Sequence, residues 1–530
     1  MDERLVAALL RPAAYPAPPG RVELRETHIS WVFLAGDRAY KVKKPVVLPF
    51  LDASTVDRRH RWCREEVRLN CRMAPRIYLG VRAVVPDGAG GLRIAPEDEP
   101  GAVDWAVEMV RYDESATLEA RLAGGERVEA VADVGRLLAA FHALAPRAGG
   151  ARAAAPRAAE QLGASLATIR ASLGAPAPAW LAPLERLAGA AACGLWPLMA
   201  ERERQGLVRE GHGDLRCEHV LLERGIEIVD GVEFDRALRE EDVGADLAFL
   251  VMDLERHDPV LARELLRGYR EAGGDPGEDQ LVAFHALARA LVRVKIELLR
   301  AAQVGPGGER AAALARAGEY RALAQRIAWH VRLAPLTVVG GLSASGKTTV
   351  ARELARRSGR PLLSSDVERK RMLGLELTAR GGPEVYAPEV GREVYRRLGE
   401  LAAAAVARRG GAVVDASFLR AGDRHAFEAA ARDAGRPLRI ETTAPPSVLL
   451  ARARLRALDP ARISDADEAV VARQLRTREL GWHDARPDVA VDTSRGVEAT
   501  LDALALGLED VLIHRAEATA PRARRHVPSS

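Results

Sequence analysis

The strongest chemical signature in the sequence is Gly341-Leu-Ser-Ala-Ser-Gly346-Lys347-Thr348-Thr349, which follows the apolar run Leu336-Thr-Val-Val-Gly340. Its spacing fits G-x-x-x-x-G-K-[ST], the pattern of a Walker A phosphate loop. The glycines let backbone N–H groups face phosphate oxygens, Lys347 adds a positive charge for the β- and γ-phosphates, and the Thr348 hydroxyl can hold Mg²⁺. The segment after it predicts a helix whose N-terminus favours the same anion. We therefore predict an ATP site formed by Gly341, Ser343, Ser345, Gly346, Lys347, Thr348 and Thr349.

Two carboxylates follow strand-like segments in the same part of the chain. Pro361-Leu-Leu-Ser364 leads into Asp366, and Gly411-Ala-Val-Val414 leads into Asp415. Ligands of open α/β sheets bind at the carboxyl ends of the strands, so both residues are expected beside the phosphate loop. We predict that Asp366 accepts the proton of an attacking hydroxyl and that Asp415 acts as a Walker B residue toward Mg²⁺. Helix capping is the alternative for both.

Several arginines follow in the segment Ala451–Arg462. Arginines on a lid can stabilise the charge of a phosphoryl group in transfer, and this assigns a catalytic role to Arg452 and Arg454. A solvated helix face is the alternative. Together with the phosphate loop, Asp366 and Asp415, this segment resembles the small-kinase branch of the P-loop proteins over about residues 335–510.

A second group of chemically capable residues is Gly211-His-Gly-Asp214-Leu, followed by Ile226-Glu-Ile-Val-Asp230. An Asp on a tight loop, then two short strands ending in another Asp, can direct one carboxylate to a hydroxyl and the other to Mg²⁺. These residues resemble the catalytic loop and the metal-binding Asp of the aminoglycoside phosphotransferase family, which is related to protein kinases. The resemblance covers about residues 25–300.

The same resemblance implies further roles. Asp246 would brace the catalytic loop, Lys41 would hold the α- and β-phosphates, Glu66 would be its partner on a helix, and Met109 would lie in the adenine-binding hinge. Lys43 and Lys44 compete with Lys41 for the phosphate. His142 is expected to pack in the core.

His219 departs from the family pattern, because an Asn that binds a second Mg²⁺ usually stands five residues after the catalytic Asp. A neutral imidazole is a poor ligand for Mg²⁺, which prefers oxygen. The position predicts a metal site at Asp230 and His219 that uses one metal, uses another metal, or supports little catalysis.

The order of the two parts resembles bacterial proteins described as bifunctional aminoglycoside phosphotransferase/ATP-binding proteins. The resemblance implies an α+β protein-kinase-like domain followed by an α/β P-loop domain with a parallel sheet. The expected domains are residues 1–330, with an N-lobe at about 25–112 and a helical C-lobe at about 113–330, then residues 331–512. A basic, disordered tail is expected at 513–530.

Length and composition agree with this organisation. The 530 residues exceed what one hydrophobic core usually serves. The net charge of +4 and the aromatic content of 4% give little signal for nucleic acid. Four cysteines without disulfide or zinc spacing suit a reducing compartment, and the first residues lack a signal-peptide pattern. With no long uncharged apolar run, a cytoplasmic protein that does not bind membranes is expected.

Three functions are compatible with these patterns. The leading hypothesis is an ATP- and Mg²⁺-dependent phosphotransferase with two nucleotide sites, acting on the hydroxyl of a small molecule. The first alternative is an ATP-dependent regulatory protein whose N-terminal module is a pseudokinase. The second is a nucleic-acid or nucleotide 5′-hydroxyl kinase, which an arginine patch at 369–371 favours. The acceptor, the oligomeric state and the coupling between domains stay open.

Overall fold

The computed structural model describes residues 2–48, 51–148, 154–459, 461–476 and 487–519. The chain forms two compact units, residues 1–154 with 202–276 and residues 155–201 with 277–530. The second unit thus includes helices that precede residue 330, and the domain boundary expected there stays a prediction.

The first unit contains a six-stranded antiparallel sheet of order β1-β2-β3-β8-β6-β7 and three two-stranded ribbons. The strands of this unit are β1 (Val22–Glu26), β2 (Ser30–Ala35), β3 (Arg38–Lys43), β4 (Val47–Leu48), β5 (Leu51–Asp52), β6 (Tyr78–Pro86), β7 (Leu92–Pro96), β8 (Asp104–Val110), β9 (Val208–Glu210), β10 (Val220–Leu221), β11 (Glu227–Ile228) and β12 (Glu240–Asp242). The strands β2 and β3 pair from Ala35 with Arg38 outward, which confirms the hairpin that the alternating residues predict.

The first unit also contains α-helices, and one of them carries Glu66. They are α1 (Asp2–Leu9), α2 (Val56–Asn70), α3 (Leu118–Ala123), α4 (Val131–Leu144), α7 (Arg236–Arg239), α8 (Val243–His257) and α9 (Pro259–Glu271). The helix α2 starts after Thr55, whose hydroxyl accepts a hydrogen bond from the backbone N–H of Arg58. Glu66 lies on the buried face of α2.

The second unit contains a five-stranded, fully parallel sheet of order β14-β15-β13-β16-β17. Its strands are β13 (Leu336–Gly341), β14 (Leu362–Ser364), β15 (Ala412–Asp415), β16 (Leu438–Thr443) and β17 (Val489–Asp492). Its helices are α5 (Ala154–Leu173), α6 (Leu181–Arg204, which ends in the first unit), α10 (Asp279–Gln303), α11 (Gly308–Arg332), α12 (Lys347–Ser358), α13 (Ser365–Met372), α14 (Pro388–Arg409), α15 (Ala421–Ala430), α16 (Pro446–Ala457), α17 (Glu468–Arg476) and α18 (Val497–Thr519).

The central strand β13 is buried on both faces. Val338 packs with Tyr395 and other residues on one face, and Val339 packs with Leu354 and other residues on the opposite face. A strand covered by helices on both faces requires apolar residues in succession, which explains the uninterrupted run before the phosphate loop. From β13 the sheet extends through β15 and β14 on one side and through β16 and β17 on the other. Such a reversal of strand order opens a crevice at the carboxyl ends of the parallel strands.

The architecture confirms the predicted fold class, a protein-kinase-like α+β part followed by an α/β P-loop part with a parallel sheet. The expected tail is wrong at its start, since α18 continues through Thr519, while residues 520–530 lie outside the described part. In that described part, no helix combines the length and apolar character needed to cross a membrane.

Candidate functional site

An ion-pair cluster in the first unit brings together three of the predicted site residues. The Lys41 Nζ lies 2.8 Å from Oε1 of Glu66 and 2.9 Å from Oδ1 of Asp230. These residues come from β3, from α2 and from the loop after β11, so only the tertiary fold makes them neighbours. Asp230 has a φ of +65°, a left-handed conformation that costs a residue with a side chain about 1–3 kcal/mol and is often found at functional sites.

Lys43 lies in the same cluster with a different environment. Its side chain is fully buried and forms ion pairs with Glu66 and Glu233. Lys41 keeps 13% of its side chain exposed and also contacts Asp230. Lys44 pairs with the exposed Glu26. The arrangement favours Lys41 over the other two lysines for a ligand contact.

The charges in this cluster support one another. Burial alone would lower the pKa of Lys41, but the carboxylates of Asp230 and Glu66 outweigh burial and hold that pKa well above its usual value. The charge of Lys41 in turn holds the pKa of Asp230 well below the usual range of a carboxyl group. Asp230 is therefore ionised at neutral pH, as a residue that binds a cation must be.

Asp246 organises the loop that carries Asp214. Its Oδ2 and Oδ1 accept hydrogen bonds from the backbone N–H groups of His212 and Gly213, both at 2.8 Å. His142 Nε2 lies 3.0 Å from Oδ2 of Asp246, and His142 Nδ1 lies 2.8 Å from the hydroxyl of Tyr269. His142 is buried, as expected for a residue that packs in the core, and its ring also joins this hydrogen-bond network.

We predict that Gly211→Ala disrupts this network. A Cβ at residue 211 would lie 2.4 Å from Oδ2 of Asp246, and the three hydrogen bonds to this carboxylate prevent it from moving away. Such overpacking typically costs about 1–3 kcal/mol of stability. Urea unfolding should show this loss, whereas Gly20→Ala, where the added Cβ meets nothing within 4 Å, should be neutral. Equal unfolding curves for both variants would contradict the bracing role of Asp246.

The other predicted residues of the first unit lie at different distances from the cluster. His219 Nε2 is 3.8 Å from Oδ2 of Asp230, and Nδ1 of the same ring contacts the backbone oxygen of Asp214 at 2.8 Å. Met109 is buried near the end of β8, opposite Ala39 of β3. His219 thus lies next to both Asp214 and Asp230, and Met109 lies in the sheet.

The phosphate loop of the second unit joins β13 to α12. Gly346 has a φ of +88°, and a Cβ there would lie 3.1 Å from the Thr493 hydroxyl oxygen. A Cβ on Gly341 would lie 2.5 Å from the backbone oxygen of Thr442. Both positions therefore require glycine. Ser345 Oγ lies 2.7 Å from Oγ1 of Thr442, so this serine anchors the loop to β16.

Asp415 ends β15 directly beside β13, opposite Val339, and Ser364 of β14 pairs with it from the other side. Burial raises the pKa of Asp415, while the positive charge of Lys347 and the hydroxyl of Thr348 oppose this increase. In the described part of the chain, Oδ1 of Asp415 is buried without a hydrogen-bond partner. A buried carboxylate oxygen next to Lys347 and Thr348 fits a divalent cation bound with nucleotide phosphates.

Asp366 is the second residue of α13, close enough to Asp415 that its negative charge contributes to the higher pKa of Asp415. Asp366 also acts electrostatically on Arg456 of α16 and on Tyr386. The structure therefore brings Asp366, Asp415 and the phosphate loop together at the carboxyl edge of the sheet.

The two arginines predicted for a lid differ in position. Arg452 donates hydrogen bonds to the hydroxyl and backbone oxygens of Thr493, at 2.8 and 2.7 Å, beside the phosphate loop. Arg454 instead pairs with Glu468, is two-thirds exposed, and has no contact with the loop in the described residues. The assignment of Arg454 to the site is therefore not supported by its position.

Sequence reasoning missed two residues near this loop. Gln474 of α17 accepts a hydrogen bond at 2.9 Å from the backbone N–H of Ser343, so a segment more than 100 residues away reaches the phosphate loop. Arg456 is partly buried, within electrostatic range of Asp366, and its Nε has no hydrogen-bond partner among the described residues. The arginine-rich pattern of Ala451–Arg462 indicated that this segment could lie near the phosphates, but it did not single out Arg456.

Comparisons with known proteins agree with this division of the chain. Residues 336–480 match the family model of an AAA domain. A protein of Mycobacterium tuberculosis, described as "Uncharacterized protein Rv2004c", is 34% identical over 363 residues, which cover 66% of this chain and 68% of the relative. The Mycobacterium bovis protein described as "Uncharacterized protein Mb2027c" matches to the same extent.

Solved structures of kinases are also similar to parts of the chain. A gluconokinase from Sinorhizobium meliloti has 22% identity and a TM-score of 0.26, covering 35% of this chain and 99% of its own. A choline/ethanolamine kinase family protein from Mesorhizobium loti has 18% identity and a TM-score of 0.38, covering 62% of this chain and 98% of its own.

The chain thus combines a protein-kinase-like part in the first unit with a P-loop domain of the AAA type in the second. The chain belongs to the family of the mycobacterial proteins Rv2004c and Mb2027c.

Proposed function

We propose that the protein has two sites for Mg²⁺-ATP and that each transfers the γ-phosphoryl group to a hydroxyl of a small molecule. The observation that carries the proposal is the contact of Lys41 with both Glu66 and Asp230. In kinase folds this lysine–glutamate pair and the metal-binding Asp must be in place together for transfer.

In the first unit, Lys41 would bind the α- and β-phosphates, and Asp214 would orient the acceptor hydroxyl and accept its proton. Asp230 would hold Mg²⁺, with His219 beside it, and the segment at Met109 would contact adenine. Magnesium, when bound, neutralises the charge that develops on the phosphates. Asp246 supports these roles by positioning the loop of Asp214.

In the second unit, the N–H groups of the phosphate loop and Lys347 would bind the β- and γ-phosphates. Thr348 and Asp415 would hold Mg²⁺, and Asp366 would accept the proton of the acceptor. Arg452 lies beside the loop and would contact the phosphates. Arg454 pairs with Glu468 at the surface and has no role in this proposal. The Ser345 hydroxyl is engaged by Thr442 and the backbone N–H of Ser343 by Gln474, so a phosphate contact from either group would replace its present hydrogen bond.

A regulatory protein with an ATP-binding pseudokinase unit is the second candidate. The observation that favours it is His219, an imidazole at a position where an oxygen ligand for Mg²⁺ is expected. The two candidates differ in whether the first unit catalyses phosphoryl transfer or only binds ATP.

Phosphorus NMR of the full chain with ATP and pools of hydroxyl compounds tests the proposal. Each site is examined with the other one inactivated, by Lys41→Ala or by Lys347→Ala. A new phosphomonoester signal from each single variant supports two active sites. A signal that depends only on Lys347 supports the regulatory candidate for the first unit. No product from sugars, amino alcohols, nucleosides or oligonucleotide ends would contradict the proposed transfer.

We predict different effects for the two carboxylates of the second unit. Asp366→Asn should reduce transfer by about 100-fold or more with little change in nucleotide affinity, because the variant loses a general base. Asp415→Asn should also raise the Mg²⁺ concentration needed for half-maximal activity, because an amide is a weaker ligand for Mg²⁺ than a carboxylate.

Titration of Mg²⁺ at saturating ATP distinguishes the two variants. Asp433→Asn, at an exposed position of the same unit, is the matched control and should behave as the wild type. If the Mg²⁺ curve of Asp415→Asn coincided with the control, Asp415 would not belong to the metal site.

A further inference from the structure

The ring of His219 is held in one tautomer by its surroundings. Its Nδ1 lies 2.8 Å from the backbone oxygen of Asp214. A carbonyl oxygen only accepts hydrogen bonds, so Nδ1 carries the proton in the neutral ring. The lone pair is therefore on Nε2, an arrangement found in histidines that bind metals through Nε2.

The free nitrogen faces carboxylate oxygens. Nε2 of His219 lies 3.8 Å from Oδ2 of Asp230 and 3.5 Å from Oε1 of Glu218, and neither distance is within hydrogen-bond range. The His219 residue is only 8% exposed. In the described part of the chain, no group hydrogen-bonds to Nε2, and Lys41 contacts the other oxygen of Asp230. An unpartnered nitrogen of a largely buried ring thus lies near a carboxylate oxygen that Lys41 does not contact.

Their separation suits a shared cation. Metal–nitrogen and metal–oxygen bonds of first-row dications are about 2.0–2.2 Å long, so one ion can contact two atoms that are 3.8 Å apart. Mg²⁺ prefers an all-oxygen shell, whereas transition-metal dications also accept imidazole. Mn²⁺ is the member of that series that also suits carboxylate, phosphate and water oxygens.

We propose that His219 Nε2 and Asp230 Oδ2 form a mixed nitrogen–oxygen site that selects a transition-metal dication of the Mn²⁺ type over Mg²⁺. The proposal rests on the proposed nucleotide site of the first unit, and it names the metal which that site prefers. It accounts for His219 without loss of function, because the imidazole then serves as a metal ligand in place of the usual asparagine.

Pulsed EPR of Mn²⁺ bound to the full chain with a non-hydrolysable ATP analogue tests the site directly. The protein is prepared with natural-abundance histidine and with ¹⁵N-histidine, so nitrogen couplings from the adenine ring do not change between samples. We expect a nuclear coupling that changes with the histidine isotope in the wild type. The coupling should be lost in His219→Asn and kept in His28→Asn, which alters an exposed histidine of the same unit.

Binding selectivity gives a second readout. We expect His219→Asn to lower the ratio of Mn²⁺ to Mg²⁺ affinity by at least about tenfold, the smaller of the losses typical for changes around a bound metal. With Mg²⁺ as the only metal, the same variant should keep or increase transfer, because asparagine restores an oxygen ligand.

The outcomes separate this inference from the proposed function. Nucleotide-dependent Mn²⁺ binding without any histidine coupling in the wild type would overturn the metal assignment and leave the nucleotide site standing. Absence of nucleotide binding that depends on Lys41 would overturn the proposed function of the first unit and this inference with it. The wild-type isotope comparison needs no variant, so poor folding of His219→Asn does not affect it.

Discussion

Replacing Lys347 by alanine is expected to reduce phosphoryl transfer by the second unit at least about 100-fold while leaving its fold intact. Lys347 starts α12 directly after the phosphate loop and faces Asp415. A fixed positive charge at this position stabilises the negative charge that develops during transfer, and loss of one such contact commonly costs about 10²–10³ in rate. Lys347→Arg is not expected to rescue activity fully, since a guanidinium has a different shape and donor geometry from an ammonium.

The measurement uses the full chain with the first site inactivated by Lys41→Ala, so that remaining turnover belongs to the second unit. Arg356→Ala is the matched control, because Arg356 is a cation on the exposed face of the same helix, where it pairs with Glu353. Thermal unfolding establishes that both variants fold. Equal turnover for Lys347→Ala and Arg356→Ala would show that the phosphate loop does not support transfer.

The second large effect is expected at the two carboxylates of the first unit. Asp230→Ala should weaken Mg²⁺-nucleotide binding, because it removes the ionised ligand that Lys41 holds in place. Asp214→Ala should leave nucleotide binding near the wild-type value but reduce transfer by about 10²–10⁴, the usual contribution of a positioned acid or base.

Calorimetry of nucleotide binding, with and without divalent cation, tests this separation of roles. The background is Lys347→Ala, so that the second unit does not dominate the signal, and Asp98→Ala at an exposed position serves as the control. The active-kinase interpretation predicts cation-dependent binding in the control that disappears in Asp230→Ala. A folded control with no cation-dependent binding would falsify that interpretation and leave the regulatory candidate for the first unit.

Local sequence was sufficient to predict those features that are formed by residues close together in the chain. The buried strand Leu336–Gly341 precedes the phosphate loop and the helix Lys347–Ser358 follows it, as the pattern predicts. The hairpin of β2 and β3 is set by alternation and a two-residue connection. These elements depend on backbone geometry and short-range contacts, so a motif with fixed spacing identifies them.

Choices between similar residues depended on the tertiary structure. Lys41 and Lys43 are two positions apart on β3, so their side chains point to the same face and the strand pattern cannot separate them. Lys43 is buried by Glu233, which is 190 residues away in the sequence. Arg452 and Arg454 share one helix, yet Thr493 holds the first at the phosphate loop and Glu468 holds the second at the surface.

The sequence by itself thus determined which chemical groups the protein has and the local elements that carry them. The tertiary structure decided which of these groups meet, as for His142 with Asp246 and Gln474 with the phosphate loop. The physical reason is that a hydrogen bond or ion pair requires its atoms within a few ångströms, and for residues more than 100 positions apart this distance is set by the packing of the whole unit.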